Sequence, residues 1–192
     1  MHPPRRPLAE IAELFVGLPA HVLADADAEN GVLVLSVANL SDSGVSGDAS
    51  RRASLDPRTY EKYRVKAGDV LLSARSTSAR VGLVGAAFDG AVINSTLLAV
   101  RCSSRLDPRL LAAYLRSADG SLALEAVSQS GAAQMNLTAR GLGRLEVPVP
   151  SAEEQHALVE LVATADTAFE SAISAARERR SLVTQLVNER LR

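Results

Sequence analysis

Hydrophobic and polar positions along the chain follow two regimes that change at Pro150. Before it, short apolar runs alternate with Gly, Ser, Asp and Pro. After it there is no Gly or Pro, and apolar residues recur at helical spacing. In the first regime, Leu8, Ile11, Leu14 and Phe15, closed by Gly17 and Pro19, suit a short helix or turn. The branched run Gly31 to Val37 predicts a strand ending in the turn cluster Asn39 to Gly44, and residues 45 to 60 read as polar and irregular. Ala67 and Gly68 place a turn ahead of a strand from Asp69 to Ala74. Two further strands, Val81 to Ala86 and Ala91 to Arg101, are expected on either side of Asp89-Gly90, a strong turn signal.

Asp107-Pro108 is a helix cap followed by proline at the first helical position, with Leu110, Leu111, Tyr114 and Leu115 as the apolar stripe. Ser121 to Val127 can form a second helix, Ser130 to Asn136 is a loop of small residues, and the prolines keep Leu145 to Pro150 extended. Ser151-Ala152-Glu153-Glu154 then has the form of a capping box, opening a helix expected over roughly residues 152 to 190. Heptad assignment puts Val162, Phe169, Ala176 and Val183 at one seam position and Leu158, Ala165, Ala172, Arg179 and Leu186 at the other. A helix of that length spans roughly 60 Å, more than the preceding 150 residues can cover. The expectation is a partner helix, sheltering a seam made by Leu158, Val162, Ala165, Phe169, Ala172, Ala176, Val183 and Leu186.

Composition narrows this reading little. The 192 residues are 47% hydrophobic, enough for a core. One cysteine, Cys102, rules out an internal disulfide framework and reads as filler at a strand end. The N-terminus has no continuous apolar segment like that of a signal peptide, and nowhere do eighteen apolar residues run together. The expected location is cytoplasmic, with no membrane partner.

The formal net charge is −1, but residues 20–50 carry five acidic and no basic residues, whereas residues 51–80 carry eight basic against three acidic. Because fields are local over about a Debye length, charge alone neither establishes nor excludes a nucleic-acid partner. His2, His21 and His156 have no ligand spacing, and Gly82-Leu83-Val84-Gly85 lacks the lysine of a phosphate-binding loop. Glu153 and Glu154 are explained by helix capping. No catalytic centre, cofactor site or metal site is expected on this chain.

The order of Gly68-Asp69-Val70-Leu71, Arg80-Val81-Gly82, Val92-Ile93-Asn94, Ser130 to Leu137 and Val147-Pro148-Val149-Pro150-Ser151-Ala152-Glu153-Glu154-Gln155 resembles one target-recognition domain and the adjoining spacer helix of a type I restriction-modification specificity subunit. The resemblance covers about Leu8 to Arg192. It implies an α+β fold: a mixed-sheet DNA target-recognition domain over residues 1–150, then a spacer and dimerisation helix over 151–192 that pairs as a coiled coil. Members of that family usually carry two such units, whereas this sequence carries one, so the resemblance implies a half-length form. Its homodimer, with helices packed antiparallel, would read a bipartite palindrome in double-stranded DNA.

The implied partners are two adenine methylation subunits, which would carry S-adenosylmethionine, and, in a restriction complex, a motor-nuclease subunit. Base-reading loops vary within the family, so candidate contacts rest on chemistry alone. They are Arg51, Arg52, Arg58, Lys62 and Arg64 in the basic stretch, Arg75 and Arg80 as a phosphate clamp about a Ser/Thr loop, and Gln134. Asn136, beside Gln134, is either a turn cap or DNA-facing. The alternative function is a structural or assembly protein that binds partners through the long helix without reading DNA.

Overall fold

The computed structural model describes residues 3–25, 31–41, 44–47, 51–131 and 134–191. At its centre lies a four-stranded antiparallel sheet in the order Val81–Leu83, Val70–Ser73, Leu97–Cys102, Ala12–Val16. The near-continuous apolar runs of its two middle strands follow from burial on both faces. Val70, Leu72, Leu98 and Val100 face one core with Leu111, Leu115, Leu124 and Leu142 from three helices. The alternating Leu71, Leu97 and Ala99 face a second core with Leu35, Val84 and Ile93. A second, mixed sheet supplies part of that core, in the order Val92–Ile93, Val32–Leu35, Arg51–Ser54, Ala24–Asp25. Its first pair is parallel and the others antiparallel.

The helices Pro108–Arg116 and Ala118–Val127 start where their caps require. Asp107 accepts from the Arg109 N–H, and Ser117 from the Gly120 N–H. The strand Glu146–Pro148 pairs with Arg5–Pro7, which ties the chain's beginning to the residues just before the long helix. The capping box at Ser151 is present in both directions, and the helix runs Ala152–Arg190, 39 residues or about 58 Å.

Several local expectations give way to long-range pairing. Leu8–Glu10 is a single 3-10 turn, and the rest of the expected short helix is the strand Ala12–Val16, captured by Leu97–Cys102. The stretch read as irregular holds the strand Arg51–Ser54 and the short helix Pro57–Tyr60. The strands on either side of Asp89-Gly90 do not form a hairpin. Val81–Leu83 pairs with Val70–Ser73, and Val92–Ile93 joins the second sheet. The small-residue loop is instead a pair of strands, Gln129–Gly131 and Gln134–Asn136. Four of the five acids of the acidic stretch, Asp27, Glu29, Asp42 and Asp48, lie outside the described residues.

The Gly68-Asp69 pair has a specific task. Gly68 takes φ +93°, a conformation that disfavours side chains, and so turns the chain into the central strand. Asp69, 2% exposed, accepts the Lys66 N–H at 2.8 Å and holds Arg101 bidentately, from Nε at 3.0 Å and from a terminal nitrogen at 2.7 Å. Arg101 also donates to the Arg64 carbonyl at 2.8 Å and lies 5.5 Å over the Phe15 ring. The hydrogen bonds that Arg101 donates to Asp69 raise the guanidinium pKa further above its usual value, so Arg101 stays charged.

The two halves of this pair are not equally replaceable. Arg101→Met leaves a buried carboxylate without its cation and is expected to cost about 3–5 kcal/mol. Asp69→Ala leaves a partly exposed guanidinium near Glu13 and is expected to cost less, about 1–3 kcal/mol. Chemical denaturation of the two variants checks both the size and the order of these losses.

Candidate nucleic-acid interface and helix surface

Backbone register joins segments far apart in sequence into a three-stranded ladder. Gln129–Gly131 pairs with Gln134–Asn136, which pairs in turn with Arg75–Ser76. The ladder is fixed at its root by the Leu137 N–H donating to the Ala74 carbonyl at 2.8 Å. Next to it, the Ser73 hydroxyl accepts the Arg80 N–H at 3.0 Å and lies 2.8 Å from the Ser76 hydroxyl. The Ser/Thr loop between Arg75 and Arg80 is thereby pinned at both ends. Both guanidiniums are exposed, with no hydrogen bond or ion pair among the described residues. A groove of about 440 Å³ opens beside the ladder, lined by Arg75, Ser95, Thr96, Asn136 and Thr138 over an apolar floor, and among the described residues no acidic side chain lines it.

The basic stretch nominated from sequence is divided. Arg51 and Arg52 project from a strand of the second sheet, and their guanidiniums donate to the Leu23 carbonyl at 3.3 Å and the Gly31 carbonyl at 2.6 Å. Arg64 lies 4.8 Å over the Tyr60 ring, donates to the Tyr60 hydroxyl at 3.0 Å and is 3.2 Å from Glu61. Lys62 is exposed, 5.0 Å over Tyr63, and Arg58 is exposed. The Gln134 backbone is placed opposite Gly131, but its side chain lies outside the described residues. Of the nominated residues, the ladder brings together Arg75 and the strand that begins at Gln134, with Arg80 at the next turn. Gln129 and the groove residues Ser95, Thr96 and Thr138 escaped sequence reasoning, because only the pairing register brings them near Arg75.

The second surface is the long helix. Its first turns dock on the globular part through Val159, 7% exposed, and through Gln155. The Gln155 amide donates to the Arg105 carbonyl at 2.8 Å and the Pro150 carbonyl at 3.0 Å, and its oxygen accepts the Asp107 N–H at 2.9 Å. Leu158 and Val162 line an apolar groove of about 230 Å³ with Leu110, Tyr114, Val147 and Pro148. Phe169 borders another groove with Phe88 and Leu83. Beyond it the helix is exposed apart from the half-buried Ile173 and Ala175. Among the eight seam residues named from sequence, Val162 is half-buried and the other seven are exposed. Val183 and Leu186 stand 60% and 61% open, with Leu182 and Val187 beside them.

Cys102 sits at a strand end, where burial pushes its thiol up to about 11, so it is protonated at neutral pH. Among the described residues, no three His, Cys, Asp or Glu side chains gather as a metal-holding group, and no helix is long and apolar enough to cross a membrane.

An α+β body carrying one long, mostly uncovered C-terminal helix defines the class. No protein-family model and no curated protein matches the chain. Solved structures do. One, from a study of complex assembly and conformational transition of the type I restriction-modification system, matches with TM-score 0.68 and 19% identity over 95% of this chain and 43% of the other. The HsdS subunit from Thermoanaerobacter tengcongensis matches with TM-score 0.60 and 21% identity, over 88% of this chain and 39% of its own. The type I S subunit from M. genitalium matches with TM-score 0.56 and 15% identity, over 91% of this chain and 44% of its own. The chain shares its fold with these solved chains and spans less than half the length of each.

The two classes of arginine predict different responses. Arg52→Ala removes a guanidinium–carbonyl bond and is expected to lower stability by about 1–2 kcal/mol. Arg58→Ala is expected to stay within about 0.5 kcal/mol of wild type. Denaturation midpoints at constant m-value distinguish them.

Proposed function

We propose that this chain is the sequence-specific DNA-recognition subunit of a type I restriction-modification methyltransferase complex and carries no catalytic centre of its own. The observation that carries the reading is the fold. Nearly the whole chain overlays on solved specificity subunits while accounting for less than half of each. In this reading residues 1–150 form one target-recognition domain and residues 151–192 the spacer, and two copies do the work of one longer chain. The exposed apolar stripe of the helix supports the pairing: Leu182, Val183, Leu186 and Val187 are each at least 50% open in a single copy.

Two identical readers related by a twofold axis would address identical half-sites in opposite orientation, separated by unread bases. Methylation subunits would supply S-adenosylmethionine and the chemistry, with a motor-nuclease subunit in a restriction complex. The place of action would be the cytoplasm.

Random-sequence duplex selection with the chain and its methylation subunits tests the reading, and enrichment of a bipartite palindrome is the expected result. Selection that enriches no motif contradicts it and favours an assembly protein that uses the helix alone. Replacing Val183 and Leu186 together by Asp would bury charge in the helix pair. The expected selection product is then an isolated half-site, with the fixed spacing lost. Arg80→Ala, removing one phosphate-clamp cation, is expected to weaken binding to all sequences alike and lower the salt slope by about one.

A further inference from the structure

Directly paired residues in an antiparallel ladder project to the same face. Gln129 pairs with Asn136, and Asn136 pairs with Arg75, so three polar side chains stand in one row across three strands. Gln129 and Arg75 are exposed and Asn136 is half-buried, and none of the three side chains has a hydrogen-bond or ion-pair partner among the described residues. Cross-strand rows usually gain stability from mutual contacts or apolar packing. This one leaves two carboxamides and a guanidinium unspent, and Asn136 and Arg75 both open onto a groove that no acidic side chain among the described residues lines.

We propose that the paired strands Gln129–Gly131 and Gln134–Asn136 enter the DNA major groove, where the Asn136 and Gln129 carboxamides read adenines and Arg75 clamps the adjoining phosphate. The inference rests on the DNA-reading function proposed above and assigns its reading face. A carboxamide matches adenine's paired N6 donor and N7 acceptor, the one base edge that asks for a donor and an acceptor side by side in that geometry. Strands lie about 4.8 Å apart, so the row spans about 10 Å across three strands. The two-stranded ribbon fits a major groove about 12 Å wide, and the third strand meets its wall. That wall is phosphate, which is where Arg75 stands. The pinned Ser73–Ser76–Arg80 turn holds this edge strand, so the clamp and the readers move as one body.

Duplex selection and salt-dependent binding with the full chain and its methylation subunits test the assignment. Asn136→Ala and Gln129→Ala are expected each to lose preference for one adenine per half-site, by on the order of tenfold, with the salt slope unchanged. Asn136→Asp, which keeps the shape but not the donor, is expected to lose the same adenine. Arg75→Ala is expected to weaken every sequence alike and reduce the slope by about one. If Asn136→Ala and Gln129→Ala, folded by circular dichroism, select the wild-type motif with every preference intact, the row is not the reading face, although DNA reading by the chain stands. If wild type itself selects no motif, the proposed function fails and the row fails with it.

Discussion

The structure turns on a mismatch of lengths. A helix of 39 residues extends about 58 Å, and the body that precedes it can dock only its opening turns. Gln155 and Val159 secure that docking, one by three hydrogen bonds to backbone and the other by burial. Past Phe169 the helix has almost no cover from its own chain, yet its sequence continues to place Leu and Val on one side. Apolar area removed from water stabilises at roughly 25 cal/mol per Å². A row of large side chains left half or more open is therefore a standing drive toward association. In the proposed function a second copy supplies that cover.

Within the body, backbone pairing positions the elements proposed to face DNA. The central sheet is buried on both faces, so its strands cannot slip without moving two cores at once. Asp69 and Arg101 lock the turn into that sheet to a neighbouring strand. The chain then leaves the locked strand at Ala74, and the ladder of Arg75, Asn136 and Gln129 starts one residue later. The ladder thus grows from a sheet buried on both faces. A site built on rigid elements holds its geometry better than one carried by free loops.

What was legible in sequence was what local chemistry decides. The capping box at Ser151, the Asp107-Pro108 start and the glycine turn at Gly68 each depend on neighbours within a few residues, and each is where its pattern puts it. The strand Ala12–Val16 was not legible, because Leu8, Ile11, Leu14 and Phe15 fit a helical stripe equally well. Only pairing with Leu97–Cys102 decides between them. The pairing of Gln129–Gly131 with Gln134–Asn136 was hidden for another reason: apart from Met135 these residues are small or polar and show no apolar alternation. Arg75 was visible as a cation, but its cross-strand neighbours were not. The role of Gln155 was not legible either, since its three partners lie on other segments or at the preceding proline.

The molar mass of the purified wild-type chain, measured by light scattering across a concentration series, tests the central claim most directly. One chain weighs 20.2 kDa. The account predicts a particle of about twice that mass, held down to low micromolar concentration by the covered helix stripe. A single-chain mass across the whole series, with the helix intact by circular dichroism, would contradict it.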